Sequence, residues 1–199
     1  MSVPPRNNLI TRLINNLYNY LWIKKHGLKL TSPEIKSKKH YHHFMTVWLL
    51  NIDRMLSKLD IETEKYSFID VGCGRGISTI YACRKYSFNK IYGFDFNQGL
   101  INDAITNVLE MKSCNSNDIV FFKADANSYI LPNEDQVVFM FNPFDSITMK
   151  RFIENNIDTM RKNNVIIIYA NSHYLDTIKD FSPRRIVEIR KYNCSVIFI

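Results

Sequence analysis

Phe68-Ile69-Asp70-Val71-Gly72-Cys73-Gly74-Arg75-Gly76 is the stretch on which the reading of the whole chain turns. Phe68, Ile69 and Val71 form a short apolar, partly β-branched run of the kind that makes a buried strand. Gly72, Gly74 and Gly76 follow at alternate positions and let the chain turn sharply beneath a ligand. Ile77 to Cys83 then reads as a helix, whose first free N–H groups face back toward the turn. Strand, glycine turn and helix together predict a nucleotide-type site.

The spacing narrows the ligand. A dinucleotide fold calls for G-x-G-x-x-G, whereas this chain has G-x-G-x-G with Ile77 where the third glycine would stand. Asp70 lies two residues before Gly72. A carboxylate there repels a pyrophosphate but suits a ligand that carries an ammonium group and a sulfonium. A nicotinamide-dependent reductase is disfavoured by Ile77 and Asp70 together.

From Phe68 onward, strand and helix patterns alternate, the signature of a parallel sheet covered on both faces. Lys90 to Phe94 reads as a second strand ending in Asp95, 23 positions beyond Gly72. An acidic residue about 20 positions on meets ribose hydroxyls in nucleotide folds. Asp95 and Asn97 also suit capping of the next helix, and both roles fit one strand end. A third strand, Ile119–Lys123, leads to Asp125, which could accept a hydrogen bond from the exocyclic amine of an adenine. A fourth, Val137–Phe141, leads to Asn142-Pro143-Phe144-Asp145. The unbroken run Val165–Ala170 predicts a strand buried on both faces. Residues 184–190 and 195–199 predict an antiparallel pair after a short link.

Taken in order, Asp70, Asp95 and Asp125 resemble the first three motifs of class I S-adenosylmethionine-dependent methyltransferases, specifically over residues 68–145 and more loosely to Ile199. The resemblance implies an α/β fold: a Rossmann-like, doubly wound, seven-stranded sheet, mostly parallel, with the reversed last strand at one edge. It also implies S-adenosyl-L-methionine as cofactor, held by Asp70, Gly72, Cys73, Gly74, Asp95, Phe96, Asp125 and Ala126. Asn142 and Phe144 are then the candidate catalytic residues, facing the methyl acceptor. Asn142-Pro143-Phe144 is similar to the Asp/Asn-Pro-Pro-Tyr/Phe motif of amino-group methyltransferases, but Phe144 stands where the second proline belongs and Asp145 takes the place of the aromatic residue. That departure weakens the transfer of an adenine- or glutamine-type substrate, and an ordinary strand-to-loop turn fixed by Pro143 is the alternative. His173 reads as a general base or, more simply, as a surface residue after a strand.

Residues 67–199 are expected to form the methyltransferase domain and residues 1–66 an N-terminal helical cap. Within that cap, Ile10, Leu13, Ile14, Leu17, Tyr18, Leu21 and Trp22 recur at helical spacing and predict a helix from Leu9 to Lys25 whose apolar stripe packs on the domain. A membrane-surface role is the minor alternative, because its polar face is mostly asparagine. Thr31-Ser32-Pro33-Glu34 reads as a helix start, and residues 44–59 suit another helix. Lys38, Lys39 and His40-Tyr41-His42-His43 form a solvated basic patch, a lid over the site or, least favoured, a metal site.

The net charge of +7 is uneven. Residues 1–66 hold eleven Lys/Arg and five Asp/Glu, a net +6, which leaves +1 for the remainder. The basic excess suits an acidic partner, so nucleic acid is the alternative to a small-molecule acceptor with an amino or hydroxyl group. A noncatalytic S-adenosylmethionine-binding protein is a further alternative. With 46% hydrophobic and 23% charged residues, the composition excludes a disordered chain. No apolar run approaches the ~20 residues of a membrane span. Cys73, Cys83, Cys114 and Cys194 are scattered, which argues against a cysteine metal site and for a reduced, cytoplasmic setting.

Overall fold

β1 (Ser67–Val71) is buried along its whole length and is the third strand across a seven-stranded sheet. The computed structural model describes residues 9–29, 47–111 and 119–199. The other strands are β2 (Lys90–Asp95), β3 (Ile119–Lys123), β4 (Gln136–Phe141), β5 (Val165–Ala170), β6 (Arg185–Ile189) and β7 (Cys194–Phe198). They lie in the order β3-β2-β1-β4-β5-β7-β6. β1 to β5 are mutually parallel, and β7 runs antiparallel to both β5 and β6. All seven expected strands are present, and the last one is reversed. It does not lie at the edge: β7 is inserted between β5 and β6, and β6 takes the edge.

The period-two alternation of strand side chains divides the core into two layers. Phe68, Val137, Phe139, Ile166 and Ile168 face one side. There they meet α2 (Leu49–Leu56), through Leu49, Ile52 and Met55, and α3 (Ile77–Lys85), through Ile77 and Ile80. Ile69, Val71, Val138, Met140, Ile167 and Tyr169 face the other side, which α5 (Ser146–Lys162) covers with Met149, Phe152 and Ile153 and α6 (Leu175–Lys179) with Ile178. α4 (Gln98–Glu110) packs beside β2 and β3.

Helix ends follow local chemistry. Asn97 caps α4 by accepting from the Gly99 and Leu100 N–H groups. Asp145 caps α5 by accepting from the Thr148 N–H at 2.9 Å, so Ser146 is its first residue. The expected helix over 44–59 is found as Leu49–Leu56; Phe44 to Thr46 lie outside the described residues, as do the Thr31–Glu34 helix start and the His40–His43 segment.

α1 (Leu9–Lys25) forms as its periodicity predicts, but of the expected stripe only Tyr18 and Trp22 pack on the domain. Leu9, Ile10, Leu13, Ile14, Leu17, Tyr20 and Leu21 point into solvent with 54–69% of their surface exposed. The inward face is built from Asn15, Tyr18, Asn19, Trp22 and Ile23. The reason is hydrogen bonding. Trp48 precedes α2 without a side-chain cap, and Asn19 supplies one: its Oδ1 accepts from the Leu49 N–H at 2.9 Å while its Nδ2 donates to the Val47 carbonyl at 2.7 Å. Asn15 accepts from Arg54 at 2.8 Å, and the Trp22 ring meets Tyr81 edge-on at 5.1 Å. Buried main-chain groups at a helix start must be paired, and these amides pair them.

Candidate functional site

The carboxyl ends of β1, β2, β3 and β4 carry the residues that the sequence singles out. Gly72, Gly74 and Gly76 all take left-handed conformations, with φ of 75°, 55° and 74°. The turn is tied to the neighbouring strand: the N–H groups of Gly72 and Cys73 both donate to the Phe94 carbonyl, at 2.9 and 3.0 Å. It is also tied to the neighbouring carboxylate, because the Gly74 N–H donates to Asp95 Oδ2 at 3.1 Å. Asp95 Oδ1 accepts from the Asn97 N–H at 2.9 Å. Burial raises the Asp95 carboxyl above the ordinary carboxylate range, and its backbone N–H donors oppose that rise.

Asp70 is buried and turned toward the first turn of α3, where Ser78 Oγ and Thr79 Oγ1 donate to Oδ2 at 2.5 and 2.7 Å. Burial pushes its carboxyl up to about 6 against those two donors. The Cys73 thiol is buried and pushed well up, first by burial and then by Asp70 and Asp95. Arg75, also buried, pairs with Asp103 at 3.1 Å and presents its carbonyl to Asn107 Nδ2 at 3.0 Å.

At the end of β3, Asp125 folds its own turn: its Oδ1 accepts from the Asn127 N–H at 2.9 Å and from Asn127 Nδ2 at 3.0 Å. Ala126 is buried and Phe96 half-buried. At the end of β4, Asn142 takes a left-handed φ of 41°, and its Oδ1 accepts from the Tyr169 hydroxyl at 3.1 Å. Pro143 lies directly against Gly72; a Cβ placed on Gly72 would come within 2.6 Å of the Pro143 Cβ. The end of β4 thus reaches the glycine turn of β1. Phe144 does not face a cleft: it is 1% exposed and packs on Phe152 with ring centroids 6.2 Å apart. Its position after a proline is compatible with a pocket residue, but the apolar layer beneath α5 claims the ring. His173 is exposed and lies in a turn. His42 and His43 fall outside the described residues.

Three features escape a reading by motif. Ser78 and Thr79 are hydroxyl residues eight and nine positions beyond Asp70, and only the return of the chain through α3 makes them its partners. Tyr169 did carry a signal, since a phenol inside a run of isoleucines needs a polar partner. Arg75, inside the glycine turn, gave none. Among the described residues, no group of three or more His, Cys, Asp or Glu is placed to hold a metal ion.

Residues 68–163 match the family model described as a methyltransferase domain. This stretch, just under half of the chain, is thus similar to a methyltransferase domain. The chain's fold is shared with solved structures of low sequence identity, which speak for the fold alone. One, the human methyltransferase 10 domain containing protein, is 14% identical over 94% of this chain and 95% of its own, with a TM-score of 0.61. The N-terminal domain of human METTL16 in complex with S-adenosyl-homocysteine is 14% identical over 97% and 86%, with a TM-score of 0.58. An RNA methyltransferase from Salinibacter ruber in complex with S-adenosyl-L-homocysteine is 17% identical over 82% and 92%, with a TM-score of 0.55. A search of curated protein sequences finds no match.

Proposed function

We propose that this methyltransferase moves the methyl group of S-adenosyl-L-methionine to a nitrogen or oxygen of a small-molecule acceptor held beside Asn142. The observation that carries this reading is the junction of Gly74 and Asp95 at 3.1 Å, which sets an oriented carboxylate at the mouth of a left-handed glycine turn. The residues present fit the cofactor. Gly72 lets the turn close against Pro143, where a side chain would clash, and so brings the ends of β1 and β4 together at one place. The Gly72-Cys73-Gly74 turn, Asp95 with Phe96, and Asp125 with Ala126 would hold its amino-acid, ribose and adenine parts. Bound S-adenosylmethionine supplies a methyl group already activated on a cationic sulfur.

The protein's own work is therefore positioning. Asp70 braces the turn from below through Ser78 and Thr79. Asn142 is held by Tyr169, which in turn accepts from the Tyr174 N–H at 3.4 Å, so the amide has a set orientation at the strand end. That orientation leaves its Nδ2 and the second lone pair of Oδ1 to contact an acceptor. Residues 1–66 serve in this reading as a helical cap over the sheet.

Calorimetry with S-adenosylmethionine, S-adenosylhomocysteine and NADH tests the assignment. Binding of the two sulfur ligands without NADH is expected; binding of NADH alone would overturn it. A second reading, methylation of an RNA base, is favoured by the net +6 of residues 1–66 and by the presence of RNA methyltransferases among proteins of similar fold. RNA binding that falls steeply with salt would select it, because phosphate contacts release counterions.

A further inference from the structure

Seven of the twelve exposed large apolar side chains among the described residues stand on α1. At 100° per residue they sweep about 140° of one face, over a helix about 25 Å long. The opposite face is already satisfied, its asparagines bonded to Val47, Leu49 and Arg54, so the outward direction of the stripe is set by the dock itself. α1 carries Arg12, Lys24 and Lys25 and no acidic residue, and the first acidic residue of the whole chain is Glu34. Asp53, the only acidic residue of α2, is taken up by Lys85, Tyr81 and Tyr86. The apolar stripe is therefore bordered by cations with no neighbouring free carboxylate from either helix.

We propose that this face of α1 docks on an anionic phospholipid surface, with Leu13, Ile14, Leu17 and Leu21 entering the acyl boundary and Arg12, Lys24 and Lys25 meeting the headgroups. An amphipathic helix that lies in the interface needs this pairing of apolar area and flanking positive charge. Lys24 suits a membrane in particular. It projects from the same arc as the leucines, stands with its ammonium 5.7 Å from the Tyr20 ring, and can extend to the headgroups while its stem stays apolar.

A second copy of the chain fits less well. A stripe about 25 Å by 10 Å falls short of the ~800 Å² per partner of a stable interface. Pairing two such helices would also bring together faces that each carry only positive charge. The dock reaches the methyl-transfer site: just past α1, the Lys29 N–H donates to Asn107 Oδ1 at 2.9 Å, and Asn107 Nδ2 donates to the Arg75 carbonyl in the glycine turn.

Sedimentation of the full chain with vesicles of equal phosphatidylglycerol and phosphatidylcholine tests the inference, against vesicles of phosphatidylcholine alone. The wild type is expected to sediment with the anionic vesicles and to be released by salt. The L13E/L17E variant, altered only at exposed positions, is expected to bind about tenfold more weakly or worse, with an unchanged melting temperature and unchanged binding of S-adenosylhomocysteine. No sedimentation of the wild type, or equal sedimentation of wild type and variant, would overturn the proposal. So would a wild-type dimer in light scattering that L13E/L17E abolishes without any vesicle binding, because the stripe would then belong to a second copy.

Discussion

Gly72 and Pro143, at the ends of two adjacent parallel strands, occupy a gap too narrow for one more carbon: a Cβ on Gly72 would sit 2.6 Å from the Pro143 Cβ. Gly72 also holds a φ of 75°, which a side chain strains. Gly72→Ala is therefore expected to lower stability by about 1–3 kcal/mol and to weaken binding of S-adenosylhomocysteine. Thermal melts and calorimetry measure both. Removing the opposing carbon in the double variant G72A/P143G should recover part of the loss, and strict additivity of the two single variants would refute the contact as its cause.

Asp95 joins the glycine turn to the start of α4 and, in the proposed function, receives the ribose. Asp95→Ala is expected to weaken the cofactor by about 1–3 kcal/mol, the range for a lost charged hydrogen bond. Titration calorimetry on the folded variant reads it directly. An affinity equal to wild type would leave Asp95 as a brace for Gly74 and Asn97 only.

Asp70 makes stability depend on pH. Its carboxyl titrates near 6 in the folded protein against an ordinary 3.8, so between those values the native state holds a proton that the unfolded chain has released. Stability contributed by this group is present below about pH 4, declines as pH rises toward 6, and stays lost above it, by up to about 3 kcal/mol at 1.4 kcal/mol per pH unit. Asp70→Asn keeps an acceptor for Ser78 and Thr79 without the charge. Urea titrations at pH 4.5 and 7 should show the variant gaining on the wild type at the higher pH.

Tyr169 orients Asn142 without standing at the strand end itself. Tyr169→Phe removes one hydrogen bond, at a cost of about 1 kcal/mol of stability. It is expected to lower kcat while binding of S-adenosylhomocysteine stays as in the wild type. An equal loss in both would place Tyr169 in the general support of the sheet.

The sheet was legible in the sequence because strands buried on both faces are continuous apolar runs, as in Val165–Ala170 and Val137–Phe141, and the helices between them keep one apolar face. The strand ends that carry the candidate site were legible as well, since strand ends and glycine turns are marked by local residue types. Orientation was the harder part. Helical spacing in α1 tells which residues share a face, but which face docks depends on Asn19 finding Val47 and Leu49 some thirty positions away, and no local pattern records that. Phe144 is the same case in miniature: its ring goes to Phe152 because α5 crosses there. The position of β7 inside the sheet likewise rests on pairing with β5, across a segment whose composition gives no order of insertion.

That inserted strand has a consequence for how the sheet is completed. β6 touches the sheet only through β7, and β5 presents to β7 the side that β6 would otherwise seek. Residues 185–189 are made before residues 194–198, yet they have no place to pair until the later strand arrives. The edge is therefore completed out of chain order, and a lesion within 194–198 that unpairs β7 from β5 also detaches β6 from the rest of the sheet.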